Sequence, residues 1–212
     1  MSTLHIIGRR SSLFTRMALI FAEELGVAYE LTPIYDMTVL GAETYAGNPA
    51  LKLPILRRGE GTLFGTQNIC RAIAESAAAP ANDVVWPEQL KDDTSRNAQE
   101  LVWHGMSAQV QIVFGTAICK LPADNVFFTK ARAGLDGSLQ WLDSHCDQAL
   151  SAMPSSRKLS IFEVSLFCLI EHLAWRKTMS MDRFSRLADF AAMYGGRPAC
   201  QRTPYAFDLA PT

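Results

Sequence analysis

The chain of 212 residues is long enough for one large domain or two small ones, and its 49% apolar content supplies a sizeable core. A net charge of −1 gives no electrostatic pull toward nucleic acid or an anionic membrane. The five cysteines (Cys70, Cys119, Cys146, Cys168 and Cys200) are odd in number and lack a CxxC pair, which argues against a zinc site or a disulfide framework and for reduced thiols in a cytoplasmic protein.

In chain order, residues 4–7 (Leu-His-Ile-Ile) read as a short strand, and Gly8 opens a turn. Residues 13–25 favour a helix that Gly26 stops. Residues 29–32 form a second strand candidate, closed by Pro33, while 35–50 carry no clean period and suit an irregular helix. Residues 55–57 and 62–64 flank Arg58-Gly59-Glu60-Gly61 as an antiparallel hairpin, and a helix follows over 67–75. The order is a βαβ unit and then a ββα unit. Residues 76–87, rich in alanine and holding Pro80 and Pro87, change character and suit a linker. The expected division is 1–78, a linker at 79–87, and 88–212.

Beyond the linker no strand is expected. Helical patterns run over 88–119, 126–150, 160–177 and 182–194, with breaks at Pro122, Pro154 and Gly195-Gly196. Ser160-Ile161-Phe162-Glu163 is a capping box, and the helix it opens is apolar on nearly every face, as befits the centre of an all-α domain. The most apolar window, 161–175, is interrupted by Glu163, Glu171 and His172 and is short for a bilayer span, so it reads as a buried helix. The N-terminus carries no basic stretch followed by an apolar run, so no signal peptide is expected.

The stretch Asn48-Pro49-Ala50-Leu51-Lys52-Leu53-Pro54-Ile55-Leu56 places a proline directly before an apolar run. Proline is excluded from a central strand but tolerated at its first residue, and a cis bond there turns the chain sharply. The turn exposes the N–H and C=O of Leu53 to an extended peptide ligand, which would pair as an added strand.

A small α/β domain, a proline before its third strand and an all-α domain resemble the glutathione S-transferase superfamily, and the resemblance covers almost the whole chain. It is carried by Gly8-Arg9-Arg10-Ser11-Ser12-Leu13-Phe14-Thr15-Arg16, which resembles the first turn and helix start of theta- and zeta-like bacterial members of serine type. The Asn48–Leu56 stretch resembles the family's proline loop. Ser160-Ile161-Phe162-Glu163 and the following Leu166-Phe167-Cys168-Leu169-Ile170-Glu171 resemble its capping-box helix, and Arg197-Pro198-Ala199 a terminal element of many members. The resemblance implies a thioredoxin-like N-terminal domain, a helical C-terminal domain, a homodimer, and glutathione as co-substrate with no metal. It also implies a cytoplasmic role in detoxification, with a hydrophobic electrophile as second substrate.

A free glutathione thiol has a pKa near ~8.5, and lowering it by about two units requires roughly 2.7 kcal/mol of preferential stabilisation of the thiolate. A hydroxyl at a helix N-terminus can supply much of that. Ser12 matches the family's catalytic serine best and Ser11 is the alternative; either is also a natural N-cap. Leu53 and Pro54 would hold the cysteinyl part. Arg9 and Arg10 either attract anionic glutathione or are solvated. The glutamyl end departs from the family, which commonly has Glu or Gln followed by Ser; here the pair is Gln67-Asn68. Gln67 can accept from an ammonium and donate to a carboxylate, and Asn68 can donate to a carboxylate. The alternative is that Thr66 and Asn68 cap the helix. Lys52 either reaches the glycyl carboxylate or is solvated. Trp103, Met106, Val110 and Phe114 recur at near-helical spacing, as core or as one wall of an electrophile pocket, and His104 reads as a surface or core histidine rather than an acid or base.

Serine-type members conjugate, reduce peroxides, dehalogenate or isomerise. The competing reading is a non-catalytic member acting through protein–protein contacts, toward which the uncharged Gln67-Asn68 leans. A cysteine-type member is disfavoured because no cysteine lies near residues 9–16.

Overall fold

The computed structural model describes residues 3–79 and 82–210, so Pro80 and Ala81 of the expected linker lie outside the described residues. The chain divides into two compact units, Met1–Asn82 with Gly196–Thr212, and Asp83–Gly195.

In the first unit, β1 (Leu4–Gly8), α1 (Leu13–Leu25) and β2 (Tyr29–Pro33) make the βαβ element, and β3 (Ile55–Arg58), β4 (Gly61–Phe64) and α2 (Thr66–Glu75) make the ββα element. The four strands lie in the order β2-β1-β3-β4, with β1 parallel to β2 and the other neighbours antiparallel. Gly26 ends α1 at φ 66°, a left-handed conformation that glycine adopts without a Cβ penalty. The 35–50 stretch keeps only one 3-10 turn, Ala42–Tyr45, because Ala46 and Leu51 adopt positive φ on either side of Asn48 and prevent a continuous helix. It folds instead over one face of the sheet. Ile7, Ile34, Tyr45 and Ile55 form a buried cluster there, with Met37, Leu51, Leu53 and Phe64 packed against it. Strand side chains alternate, and Ile6 and Leu56 are fully buried on the opposite face.

The C-terminal segment belongs to this unit. α7 (Pro198–Arg202) packs against α1, and its flanks are tied by Arg197 Nε to Glu24 Oε1 at 2.7 Å and Arg202 Nε to Glu23 Oε2 at 2.6 Å.

The second unit holds α3 (Asp93–Ile112), a π-helical turn (Val113–Ile118), α4 (Val126–Ser151), α5 (Ile161–Arg176) and α6 (Ser185–Gly195). The pattern expected a helix from 88. The Asp92 carboxylate instead caps α3 by accepting from Ser95 N at 2.9 Å, and Pro87–Gln89 forms a separate 3-10 turn. No strand was expected here, yet β5 (Val84–Val85) and β6 (Leu159–Ser160) pair in parallel, so part of the expected linker is ordered by a ladder. Two residues per strand are too few to leave a periodic trace.

α5 is buried continuously from Ile161 to Ile170, as its apolarity on all faces requires. Ser160 Oγ accepts from Glu163 N at 3.1 Å and donates to Glu163 Oε2 at 2.7 Å. Arg157 then grips the same carboxylate with two bonds, Nε to Oε2 at 2.9 Å and Nη2 to Oε1 at 2.7 Å. This is a variant of the expected capping box, in which the glutamate serves the serine hydroxyl and an arginine. The Glu163 hydrogen bond holds the Arg157 guanidinium above its ordinary pKa.

Among the described residues no helix is long and apolar enough to cross a membrane. Cys119 is exposed and the other four cysteines are buried; burial, reinforced by Asp147 and Asp143, pushes the Cys146 thiol up to about 12. Titration of the native protein with a thiol-disulfide reagent at mildly alkaline pH is therefore expected to modify Cys119 alone, with the rest reacting only after denaturation. Fast reaction of a second thiol would contradict this burial pattern.

Candidate functional site

Strand register decides which loops meet. Ile7 pairs with Ile55, Ile55 with Phe64, and Gly8 with Pro33, so all four strands reach the same end of the sheet together. Three connections leave from that end: the β1–α1 turn, the loop entering β3, and the β4–α2 junction. α1 and α2 both begin there, and neither has an acidic residue in its first turn. No first-turn carboxylate therefore offsets the partial positive charge at either helix N-terminus.

The β1–α1 turn closes with Ser12 N donating to Arg9 O at 3.1 Å and Arg9 N donating to Thr15 Oγ1 at 3.3 Å. Gly8 is required by close approach, since a Cβ there would sit 2.6 Å from Thr15 Oγ1. Ser12 is the N-cap of α1, its Oγ accepting from Thr15 N at 3.2 Å. That bond uses one lone pair. The hydroxyl proton has no partner among the described residues and remains able to donate. Ser11 is only 5% exposed, whereas Ser12 is half-buried, so Ser12 is the more accessible of the two candidates.

The loop entering β3 has a cis Leu53-Pro54 bond. Asn48, 4% exposed, organises it: Oδ1 accepts from Ala50 N at 3.0 Å and Nδ2 donates to Lys52 O at 2.8 Å. The Leu53 side chain packs on the sheet-face cluster, while its N–H and C=O make no hydrogen bond among the described residues. Side-chain core and free backbone thus coexist at Leu53. The role of Asn48 was not drawn from the sequence, although Asn before Pro is a turn signal. Asn48→Ala strands a loop N–H and a loop C=O, and is expected to cost about 1–3 kcal/mol in urea denaturation. A loss below ~0.5 kcal/mol would contradict its bracing role.

At the β4–α2 junction, Gly65 adopts φ 86° and precedes a helix with no side-chain N-cap. Capping by Thr66 and Asn68 is therefore not what these residues do. Asn68 Nδ2 instead donates backward to Phe64 O at 3.0 Å, which occupies one of its two amide hydrogens. Gln67 is half-buried; Asn68 and Lys52 are exposed.

Residues 11–76 match the glutathione S-transferase N-terminal domain family. Among solved structures, the chain resembles a glutathione S-transferase from Methylobacillus flagellatus with GSH bound, at 16% identity and a TM-score of 0.73, over 96% of this chain and 100% of that one. It also resembles a glutathione transferase family member from Pseudomonas fluorescens with bound glutathione, at 18% identity and a TM-score of 0.75, over 96% and 100%. A third, from Methylobacterium radiotolerans in complex with glutathione sulfonate, has 16% identity and a TM-score of 0.73, over 100% and 99%. No curated protein matches the chain. Residues 11–76 thus carry a glutathione S-transferase N-terminal domain, and the chain as a whole has the fold of these solved transferases.

The remaining candidates lie in the helical unit, on α3 and the π-helical turn that follows it. Met106 is fully buried, Trp103 and Val110 are half-buried, and Phe114 in the π-helical turn is exposed. Met106 is core, and only its neighbours on the stripe keep accessible surface. His104 is exposed. Among the described residues no group of three or more His, Cys, Asp or Glu side chains forms a metal site.

Proposed function

We propose that this protein is a glutathione-dependent transferase that activates the glutathione thiol for attack on a small hydrophobic electrophile. The observation that carries the reading is the convergence at one sheet end of a proton-bearing Ser12 hydroxyl, the unpaired backbone of Leu53 and the uncapped N-terminus of α2. Each offers what one part of the tripeptide needs. The Leu53 N–H and C=O pair with the cysteinyl backbone as an added strand. The N–H groups opening α2 and the second Asn68 amide hydrogen receive the glutamyl carboxylate, and Gln67 accepts from the glutamyl ammonium. Lys52 reaches the glycyl carboxylate.

Ser12 donates to the sulfur at the positive end of α1, which favours the thiolate over the thiol. The thiolate then attacks the electrophilic carbon. A C–S bond forms, and the leaving group departs with its bonding pair, or, in an addition, a solvent proton completes the product. On α3, Trp103 and Val110, next to the buried Met106, are the accessible apolar side chains whose chemistry suits a hydrophobic electrophile. In this reading the enzyme is a cytoplasmic homodimer serving detoxification, and peroxide reduction, dehalogenation and isomerisation are further outcomes of the same thiolate.

One observation favours a second reading. Asn68 already spends an amide hydrogen on Phe64 O, and Gln67 is uncharged, so the glutamyl anchor is weaker than a Glu-Ser pair. A non-catalytic member acting through protein–protein contacts would tolerate that. Millimolar glutathione is expected to raise the melting temperature of the full chain, and the protein is expected to be retained on immobilised glutathione. No shift and no retention would overturn the enzyme reading in favour of the second.

A further inference from the structure

The turn that carries Ser12 is held from two sides. Inside, Thr15 Oγ1 accepts from Arg9 N at 3.3 Å. Outside, the support comes from the opposite end of the chain: Asp208 Oδ2 accepts from the backbone N–H of Arg10 at 2.9 Å. The tail is guided there by successive anchors. Thr203, 4% exposed, donates to Ala199 O at 2.9 Å. The buried Arg16 guanidinium of α1 donates to Cys200 O at 3.3 Å and lies 4.3 Å from the ring centroid of Tyr205. Three residues after Tyr205, the Asp208 side chain is 4% exposed although the Arg10 side chain facing it is 62% exposed. The carboxylate is sheltered while the guanidinium stands in water at an Nε–Oδ1 distance of 3.6 Å, so the partner it is ordered for is the Arg10 N–H. The flanking Phe207 and Leu209 are 61% and 86% exposed.

We propose that Asp208 is a positioning residue of the thiol site: its carboxylate, bound to the Arg10 N–H, fixes the turn two residues before Ser12 and so sets where the Ser12 hydroxyl points. A charge-assisted bond to a backbone N–H is short and directional, and suits a turn whose placement must hold within about half an ångström for catalysis. The inference rests on the reading of Ser12 as the sulfur donor.

The test uses the full chain with Asp208→Ala and Asp208→Asn. It reads kcat and KM with a chlorodinitrobenzene probe, melting temperature, and the near-ultraviolet absorbance of the thiolate of bound glutathione. Asp208→Ala is expected to lower kcat about tenfold and to weaken the thiolate band, with the glutathione KM within about twofold of wild type and the melting temperature nearly unchanged. Asp208→Asn keeps an acceptor for the Arg10 N–H and is expected to recover kcat to within about threefold of wild type. An Ala variant with the wild-type band and kcat overturns the inference alone, as does an Asn variant impaired as severely as the Ala variant. A wild-type protein that shows no thiolate band in saturating glutathione overturns the Ser12 reading, and the inference with it.

Discussion

Ser12→Ala is expected to lower the conjugation rate by about tenfold or more, because each pKa unit of lost thiolate stabilisation corresponds to about 1.4 kcal/mol. The same substitution removes the N-cap of α1, which by itself costs about 1 kcal/mol of stability. The two effects are separable. Aspartate caps a helix about as well as serine, so Ser12→Asp is expected to keep the melting temperature near wild type. An ionised carboxylate has no proton to give and repels a thiolate, so this variant is expected to be at least as inactive as Ser12→Ala. Steady-state rates and thermal melts on both variants check the pair of outcomes. A fully active Ser12→Asp would remove the hydroxyl from the chemistry. An unchanged rate in Ser12→Ala together with an impaired Ser11→Ala would transfer the role to Ser11.

Glu163→Ala is expected to cost about 3 kcal/mol or more of unfolding free energy. The substitution removes the carboxylate that takes two bonds from Arg157 and one from the Ser160 hydroxyl. The side chains of Arg157 and Glu163 are only 16% and 12% exposed, so the guanidinium left behind is poorly hydrated. Most of the expected loss is the cost of that unpaired buried charge rather than the strength of the pair. The double replacement Arg157→Met with Glu163→Gln leaves no orphaned charge and should recover much of it. Urea denaturation reads both variants. A loss below ~1 kcal/mol in Glu163→Ala would show that water reaches Arg157 freely.

Much of the first unit was legible because its signals are local. Gly26 stops α1, Pro54 opens β3, and Gly59 lies in the tight turn of the hairpin, each for a reason confined to a few residues. Ser160 announced α5 in the same way. What escaped the sequence is non-local or chemically ambiguous. The β5–β6 ladder joins Val84 to Leu159 across most of the helical unit, and no periodicity encodes a two-residue pairing. Asp208 meets Arg10 across 198 residues of chain. The return of the tail to the first unit is fixed by α7 and by Arg16, whose burial nothing in its neighbouring residues implied.

At the site itself the ambiguity is chemical. Serine and asparagine suit both helix caps and ligand contacts, because a short polar side chain does either. The structure separates them by partner. Ser12 caps its helix and still keeps a proton to donate, whereas Asn68 leaves its helix uncapped and braces a carbonyl. Neither arrangement is written in residue type alone.

The central claim is that this sheet end ionises a glutathione thiol. Its most direct test follows thiolate absorbance while the full chain, saturated with glutathione, is titrated with pH. The bound thiol is expected to ionise about two pH units below its free value of ~8.5, and Ser12→Ala to move it back toward that value. A bound thiol that ionises at its free value in the wild-type protein would contradict the account.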